Sequence, residues 1–442
     1  MEADWHNRAL QQMDIDKIRS VRLQFTDILG HLKNVSIPVQ QCKKAFREGI
    51  WFDGSSIEGF ARIDESDMFL VPDPATYTII PWTLKDAREA RFLCNVMDCS
   101  GKPFEGDPRS VLIKALEDTR GSGYEFFTGP EMEFWLFEKS AAQPMALFHD
   151  RGGYFDLSPA DHGVEIRRGI ILALEKMGYS IEASHHEVSC GQHEISFRYG
   201  HALATADRIT TFKYVARTIA MQSGVIASFI AKPKAGINGN AMHVHASLYR
   251  NGRNAFFDPD APHEVSGTAL MFIGGLLLHA KGLCRIANPT INSYKRLTPG
   301  YEAPCNASWS LADRSALVRV PAARGNGTRI ELRNPDAMCN PYLLLAGILA
   351  AGMDGIRRGI LPPESTGGNG YDHPRSQNEG ACTDVLPGDL EEAQECLLAD
   401  RLLCDTLGVQ VVEGLTRIAA MECEAFRTAV HPWELRRYFQ AA

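Results

Sequence analysis

Three short stretches of this 442-residue chain carry acids, imidazoles or arginines at every second position. That spacing puts side chains on one face of a β-strand. The stretches are Glu131-Met132-Glu133, His243-Val244-His245 continuing to Ser247, and Arg329-Ile330-Glu331-Leu332-Arg333. A fourth cluster, Glu187 to Glu194, holds two carboxylates around a bend at Gly191. Each alone has an ordinary explanation, since a strand with one apolar side can turn its charged side to water. Together, five carboxylates and one or two imidazoles form a ligand set for a hard cation such as Mg²⁺ or Mn²⁺, whereas zinc would recruit more His or Cys. Two like charges ~4 Å apart at an effective dielectric near 20 repel by about 4 kcal/mol. Such a cluster needs cations.

Arg296, Arg314, Arg319, Arg329 and Arg333 all fall in the second half of the chain. Arginine's planar fork binds carboxylate and phosphate through paired hydrogen bonds, and a transferring phosphoryl group demands that neutralisation. Acids for metal and arginines for anions point to phosphoryl transfer. Asn238-Gly239-Asn240, just before the histidine strand, offers main chain that a ligand can approach without meeting a Cβ. No Gly-x-x-x-x-Gly-Lys-Ser/Thr loop occurs, and no Gly-x-Gly-x-x-Gly opens a helix after a strand. A nucleotide would therefore be held by metals and arginines.

These residues need a scaffold. Val21, Leu23 and Phe25 alternate with polar residues, and after a turn near Gly30 so do Lys33, Val35 and Ile37, which predicts a hairpin. Further strands are expected at 68–71, 77–80 and 91–97, with one helix near 40–48. Residues 101–108 concentrate Gly, Pro and charge, placing the domain boundary between 1–103 and 104–442. Asp107-Pro108 predicts a helix start running to about residue 116, and Asn340-Pro341 another that ends near Gly359. Residues 389–426 read as largely helical. There is no internal repeat, and the large domain reads as α+β.

The chain is 45% apolar and 23% charged, with a net charge of −8, so it reads as globular and not as a nucleic-acid binder. The apolar run 269–278 is too short to span a bilayer and is interrupted by Gly274-Gly275, so a buried helix is expected rather than a membrane span. The polar first ten residues lack a signal-peptide core. Eleven cysteines without a Cys-x-x-Cys pair read as reduced thiols, and a cytoplasmic location is expected.

Several motifs occur in one order along nearly the whole chain. They are Asp53-Gly54-Ser55-Ser56-Ile57, Glu131-Met132-Glu133-Phe134, His185-His186-Glu187, Asn238-Gly239 with Met242-His243-Val244-His245, Asn292-Ser293-Tyr294-Lys295-Arg296-Leu297, Pro299-Gly300-Tyr301-Glu302-Ala303-Pro304, and Arg329-Ile330-Glu331-Leu332-Arg333. In this the sequence resembles type I glutamine synthetase. The resemblance implies a small N-terminal β-grasp domain, a large catalytic domain with a curved antiparallel sheet and surrounding helices, and a homododecamer of two face-to-face hexameric rings. It implies ligation of ammonia to L-glutamate with ATP through a γ-glutamyl phosphate, and two Mg²⁺ or Mn²⁺ ions per active site. One ion would take Glu133, Glu187 and Glu194, the other Glu131, His243 and Glu331. Asn238, Gly239 and Arg296 would hold glutamate. Arg314 and Arg333 would stabilise the transferring phosphoryl group. Glu182, Phe197, Tyr199, His245, Ser247, Arg319 and Arg329 would line the nucleotide. Asp53, reaching in from a neighbouring subunit, and Glu302, on a flap, would bind ammonium and take its proton.

The segment 56–62 and the ending Val430-His431-Pro432-Trp433-Glu434 resemble the feedback-inhibited alpha subtype. In that subtype a residue matching Arg62 takes part in inhibition by glutamine, and small regulatory proteins are expected partners. The stretch after Phe134 is short beside relatives regulated by adenylylation, so modification of Tyr371 is not expected. Asn326 stands where some relatives carry a lysine near the nucleotide. Two other readings remain open at this point: a sister ligase that uses an organic amine, and a non-catalytic relative that keeps only the ring.

Overall fold

The computed structural model describes residues 2–55, 57, 67–139, 148–366 and 384–441. Arg62, Tyr371, Cys382 and most of 56–62 lie outside them. The first sheet holds β1 (Ser20–Thr26), β2 (Leu32–Pro38), β3 (Ile50–Asp53), β4 (Asp67–Pro72), β5 (Thr78–Ile79) and β6 (Glu89–Met97). Its order is β2-β1-β6-β4-β3, with β5 beside β6. The expected hairpin is β1–β2, with Val21 opposite Ile37 and Leu23 opposite Val35. Gly30 closes its turn at φ 82°, a backbone region that glycine enters without strain. β1 also runs parallel to β6, so the two ends of this region share the centre of the sheet. A helix at Glu2–Ile15, which its polar composition concealed, anchors through buried Ala9 and Met13, four residues apart on one face.

The second sheet is built from β7 (Glu125–Glu138), β8 (Ile181–His186), β9 (Gln192–Phe197), β10 (Gly200–His201), β11 (Val225–Ser228), β12 (Met242–Arg250), β13 (Arg253–Asn254), β14 (Trp309–Ser310), β15 (Val318–Arg319) and β16 (Ile330–Leu332). The main path runs β14-β15-β16-β12-β7-β9-β8. It is antiparallel except for β14–β15. The fold is thus α+β, as expected. One face of this sheet is core: Met132, Phe134, Ile195, Val244 and Leu332 are each at most 1% exposed. Phe134 meets Phe212 of helix Ala202–Gln222 edge-on at 5.8 Å. The other face carries the charged partners of these residues.

Both anticipated helix starts are found. Asp107 accepts the Arg109 N–H ahead of helix Pro108–Gly121, which runs past the expected end at 116. Asn340 caps helix Pro341–Arg358, and Gly359 ends it in the left-handed conformation. The Asn340 amide also donates to the Asp27 and Ile28 carbonyls, tying this helix to the β1–β2 turn. Buried Arg109 ties the first sheet to helix Ala202–Gln222, bonding Asp73 at 2.8 Å and Asn95 at 2.6 Å on one side and Asp207 on the other. Residues 390–428 form three helices, separated at Asp400 and Gly408.

The apolar run 269–278 forms helix Gly267–Leu278, as expected, and its Gly274 and Gly275 let another helix come close. A Cβ on Gly275 would fall 2.1 Å from the Ala351 carbonyl oxygen, and one on Gly355 2.0 Å from that of Met271. Among the described residues no single helix is long and apolar enough to cross a membrane; Gly267–Leu278 and Ala280–Ala287 pass only as a pair bent by 76°.

His279 sits at that bend, with Nδ1 2.7 Å from Asp400 and Nε2 3.2 Å from Asp354. Burial alone would lower its pKa, but the two carboxylates outweigh that and raise it. A group raised in the folded state stabilises fully below its unfolded pKa of about 6.5 and loses the effect as pH rises through the folded value. The Tm difference between the parent and His279→Gln should therefore be largest just below about pH 6.5 and shrink toward pH 8, read by thermal unfolding at a series of pH values.

Candidate active site

Strand register collects the charged residues. His243 stands opposite Glu131 and His245 opposite Gly129 across β12–β7. Glu133 stands opposite Glu194 across β7–β9. Glu331 stands opposite His245 across β16–β12 and opposite Arg319 across β15–β16. Because side chains alternate, a slip of one residue in any of these pairings would turn a ligand into the core. The Arg329-Glu331-Arg333 face does not look into water. Glu331 is fully buried and Arg333 nearly so.

At one end of the cluster Glu131 accepts from His245 Nε2 at 2.8 Å and lies 3.0 Å from His243 Nδ1. Arg329 Nε donates to His245 Nδ1 at 3.1 Å, which leaves the His245 proton on Nε2, aimed at Glu131. Burial acts to raise the Glu131 carboxyl, but the two imidazoles hold it well below the usual range. Glu331 receives Arg319 at 2.6 Å and also Arg333. Burial acts to raise its carboxyl, but Arg333, His243 and His245 outweigh that and lower it. His243 Nδ1 is 3.8 Å from Glu331, while its buried Nε2 has no hydrogen-bond partner.

At the other end three carboxylates converge. Glu133 accepts from Gln192 Nε2 at 2.8 Å and from the Ala241 N–H at 2.9 Å. Burial first, then Glu187 and Glu194, push its pKa well up. Burial and Glu194 push Glu187 up to about 7. His185 bridges two of the acids, 3.4 Å from Glu187 and 3.5 Å from Glu194. On this face two candidate ligand groups, His185 with Glu187 and Glu194, and Glu131 with His245 and Glu331, each bring their ligand atoms within 4.8 Å of one another, so that His185 and His245 stand where Glu133 and His243 were expected. An oxygen-rich donor set whose acids resist ionising together fits a divalent cation.

Two adjoining cavities open on this face. The smaller, about 200 Å³, is lined by all six expected metal ligands together with Glu302, Arg314, Arg319 and Arg333. The larger, about 690 Å³, takes in Glu182, Phe197, Tyr199, His245, Ser247 and Arg329, and also Asn326. Glu131, His185 and Glu194 line both. The Phe197 ring packs in the core against Phe212, so any part it takes in binding falls to its main chain.

Four expected site residues line neither cavity. Buried Arg296 donates to the carbonyls of Asn334 at 2.7 Å and Arg333 at 3.0 Å. Gly239 packs on the Arg296 stem so closely that a Cβ would fall 2.9 Å from its Cγ and 2.5 Å from the Ala231 oxygen. The Asn238 N–H donates to Ser189 Oγ at 3.1 Å. Asp53 ends β3 in the other sheet, its Oδ1 accepting from the Ser55 N–H and hydroxyl at 2.9 and 2.6 Å.

Sequence reasoning gave no role to Tyr154 or Gln192, and none to His185 beyond its motif. Tyr154 lines the smaller cavity and hydrogen-bonds Arg314. The pair Gly152-Gly153 ahead of two aromatics was the available signal. Gln192 could not be found without knowing that β7 and β9 pair.

Comparison with known proteins matches residues 17–99 to "Glutamine synthetase, beta-Grasp domain" and residues 105–438 to "Glutamine synthetase, catalytic domain". A glutamine synthetase of Thermus thermophilus is 50% identical over 434 residues, covering 97% of each chain. One of Thermotoga maritima is 49% identical over 424 residues, covering 96% of this chain and 97% of its own. A solved structure described as a "GmaS/ADP complex" superposes with a TM-score of 0.88 at 28% identity, covering 97% of this chain and 99% of that one. A β-grasp sheet ahead of a sheet that carries acids, imidazoles and arginines on one face defines the class as a ligase. More particularly, the chain belongs to the glutamine synthetase family.

If the carboxylate cluster holds a cation, adding Mg²⁺ or Mn²⁺ to chelator-treated protein stabilises it by mass action, about 2.7 kcal/mol at a hundredfold excess over Kd. Glu194→Ala should remove part of that Tm rise in a thermal-shift titration. Equal Tm with and without metal would mean that no cation binds there.

Proposed function

We propose that the two cavities are the halves of one active site, nucleotide in the larger and glutamate with ammonia in the smaller. The reaction is that of the family: ATP-dependent ligation of ammonia to L-glutamate, giving L-glutamine, ADP and phosphate. The observation that carries the assignment of roles is the smaller cavity, where acids, arginines and Glu302 meet within about 200 Å³.

Glu133, Glu187 and Glu194 would hold one Mg²⁺ or Mn²⁺, and Glu131, His243 and Glu331 the other, supplying positive charge that offsets the anionic phosphates and polarises the phosphoryl group. Glu182, Phe197, Tyr199, His245, Ser247 and Arg329 bind the nucleotide, and Arg319 reaches it from the seam with the smaller cavity. The His245 ring is fixed between Arg329 and Glu131, so its position costs nothing to organise when ATP arrives. Asn238, Gly239 and Arg296 hold glutamate. The support for them is mutual packing beside Gln192, which bonds both Glu133 and the Gly239 carbonyl.

The γ-carboxylate of glutamate attacks the γ-phosphorus of ATP; ADP leaves and a γ-glutamyl phosphate forms. Arg314 and Arg333 stabilise the transferring charge. Arg333 is pre-set by its bonds to Glu331 and to the Arg314 carbonyl, whereas the exposed Arg314 side chain is held by Tyr154 at the cavity rim and closes on substrate from there. Ammonia then attacks the acyl carbon and phosphate leaves. Ammonium itself carries no lone pair, so an anion must bind it and accept a proton. Glu302, exposed at the rim of the smaller cavity, is one candidate. Asp53 is the other, supplied by a neighbouring subunit, because it lines neither cavity of its own chain.

That requirement accords with an assembly whose active sites lie between subunits; the homododecamer of two stacked hexameric rings rests on the sequence resemblance. The division into domains 1–103 and 104–442 is supported by the two family matches. A cytoplasmic location accords with ten described cysteines that are all free thiols. Feedback inhibition of the alpha type through Arg62, and small regulatory proteins as partners, rest on the sequence resemblance alone.

The test is phosphate release and glutamine formation with ATP, glutamate and ammonium in Mg²⁺ or Mn²⁺. Turnover should need all three substrates, and Glu331→Ala should abolish it while leaving the assembly intact. Turnover that depends on an organic amine and not on ammonium would overturn the assignment of ammonia. Unchanged turnover in Glu331→Ala would overturn the ligand set. With added glutamine, inhibition that Arg62→Ala relieves would support the feedback reading.

A further inference from the structure

Neighbouring residues on a strand point to opposite faces, so His186 and His193 lie behind Glu187 and Glu194, away from the cleft. They face each other across β8–β9. Around them Asp150, Asp161 and Arg167 complete a set of five buried ionisable side chains that the reaction does not use. Arg167 bonds both Asp161 oxygens, at 3.1 and 2.6 Å, and donates to His193 Nδ1 at 2.7 Å. The His193 proton is thereby placed on Nε2, which faces Asp150 Oδ2 at 3.8 Å. Neither of those two atoms has another hydrogen-bond partner. His186 has an acceptor at each ring nitrogen: Asp150 Oδ1 at 2.9 Å and the Glu187 carbonyl at 2.6 Å. Both nitrogens of the ring are thereby held by neighbours.

Within this set the Arg167 guanidinium is paired with the Asp161 carboxylate. The His186, His193, Asp150 and Asp161 donor atoms are grouped closely enough for a metal, but the Arg167 guanidinium already holds both Asp161 oxygens and His193 Nδ1. The cluster has a mechanical role instead. Asp150 Oδ1 also accepts the Gly191 N–H at 2.7 Å, so one carboxylate grips both the strand before Glu187 and the turn before Glu194. The loop that carries Asp150 is pressed onto the two rings. A Cβ on Gly152 would fall 2.8 Å from the His186 ring, and one on Gly163 2.4 Å from that of His193. The same loop delivers Tyr154 and Phe155 to the cavity walls.

We propose that Asp150, braced by His186, His193, Asp161 and Arg167, is a positioning residue that sets the separation of Glu187 and Glu194 and hence their affinity for a divalent cation. This rests on the assignment of those two acids and Glu133 as ligands. Groups that orient metal ligands without touching the metal are worth about 10–100-fold in metal affinity.

The experiment titrates Mn²⁺ into chelator-treated, assembled full-length protein by electron paramagnetic resonance, and measures in parallel the Mg²⁺ concentration giving half-maximal turnover. In Asp150→Asn one class of Mn²⁺ site should weaken by about 10-fold or more. Its Mg²⁺ half-saturation should rise by a similar factor with kcat at saturating Mg²⁺ unchanged. Glu194→Gln is the control for the underlying ligand assignment. If that variant binds Mn²⁺ as the parent does, the assignment fails; if it weakens while Asp150→Asn binds like the parent, the brace fails. A fall in kcat of Asp150→Asn with no shift in metal affinity also overturns the brace. Should Asp150→Asn not assemble, Arg167→Lys, which keeps the charge but loses the paired bonds, carries the same test and the same expected shift.

Discussion

Glu133 and Glu194 stand opposite each other on paired strands, with Glu187 at the end of the β8–β9 hairpin, and burial with the neighbouring acids pushes the Glu133 and Glu187 carboxyls up. Nothing local favours that arrangement. It persists because the opposite face of each strand is committed to the core: Met132, Phe134 and Ile195 are buried completely, and moving the acids apart would mean withdrawing those side chains from the interior. Burial of a few large apolar groups, each contributing about 1.5–3 kcal/mol, outweighs the repulsion that remains once protons or a cation neutralise part of the charge. The active face is in this sense carried by the core face.

The two ends of the cluster are held differently. Around Glu331 the charges are already compensated by Arg319 and Arg333, and Glu131 is compensated by imidazoles. That end is organised before any ligand binds. Around Glu133 the supporting bonds come from an amide side chain and a main-chain N–H, which orient the carboxylate without neutralising it. The negative charge left there is what a cation would meet. A gradient from compensated to uncompensated acid therefore runs along one sheet.

Much of this was legible in the sequence because it depends on period and on chain neighbours. The β1–β2 hairpin follows from alternation and a glycine turn. The helix starts at Asp107-Pro108 and Asn340-Pro341 follow from cap chemistry. Pairs two residues apart, such as Glu131 and Glu133 or His243 and His245, had to share a face once they were in a strand. Where local reading failed, the reason was an interaction with something distant. The run 269–278 is the helix its sequence predicts, but why it carries Gly274-Gly275 did not show, because the helix that needs their missing side chains lies some eighty residues further on. The helix Glu2–Ile15 went unseen because its buried side is marked by the spaced pair Ala9 and Met13 amid polar residues.

By itself the sequence determined the residue types, their alternation and the order of motifs, and with them the family, since these are properties of short segments and of the chain read in one direction. It could not decide whether the face of Arg329, Glu331 and Arg333 met water or a cleft. Pairing of β16 with β12 and of β15 with β16 decided that, by bringing Arg319 and His245 over Glu331 and shutting solvent out. Nor could it show that Asp150 lies behind Glu187 and Glu194, some forty residues away. Register and burial arise only when segments far apart in the chain are brought together, and the electrostatic environment of each carboxylate follows from them.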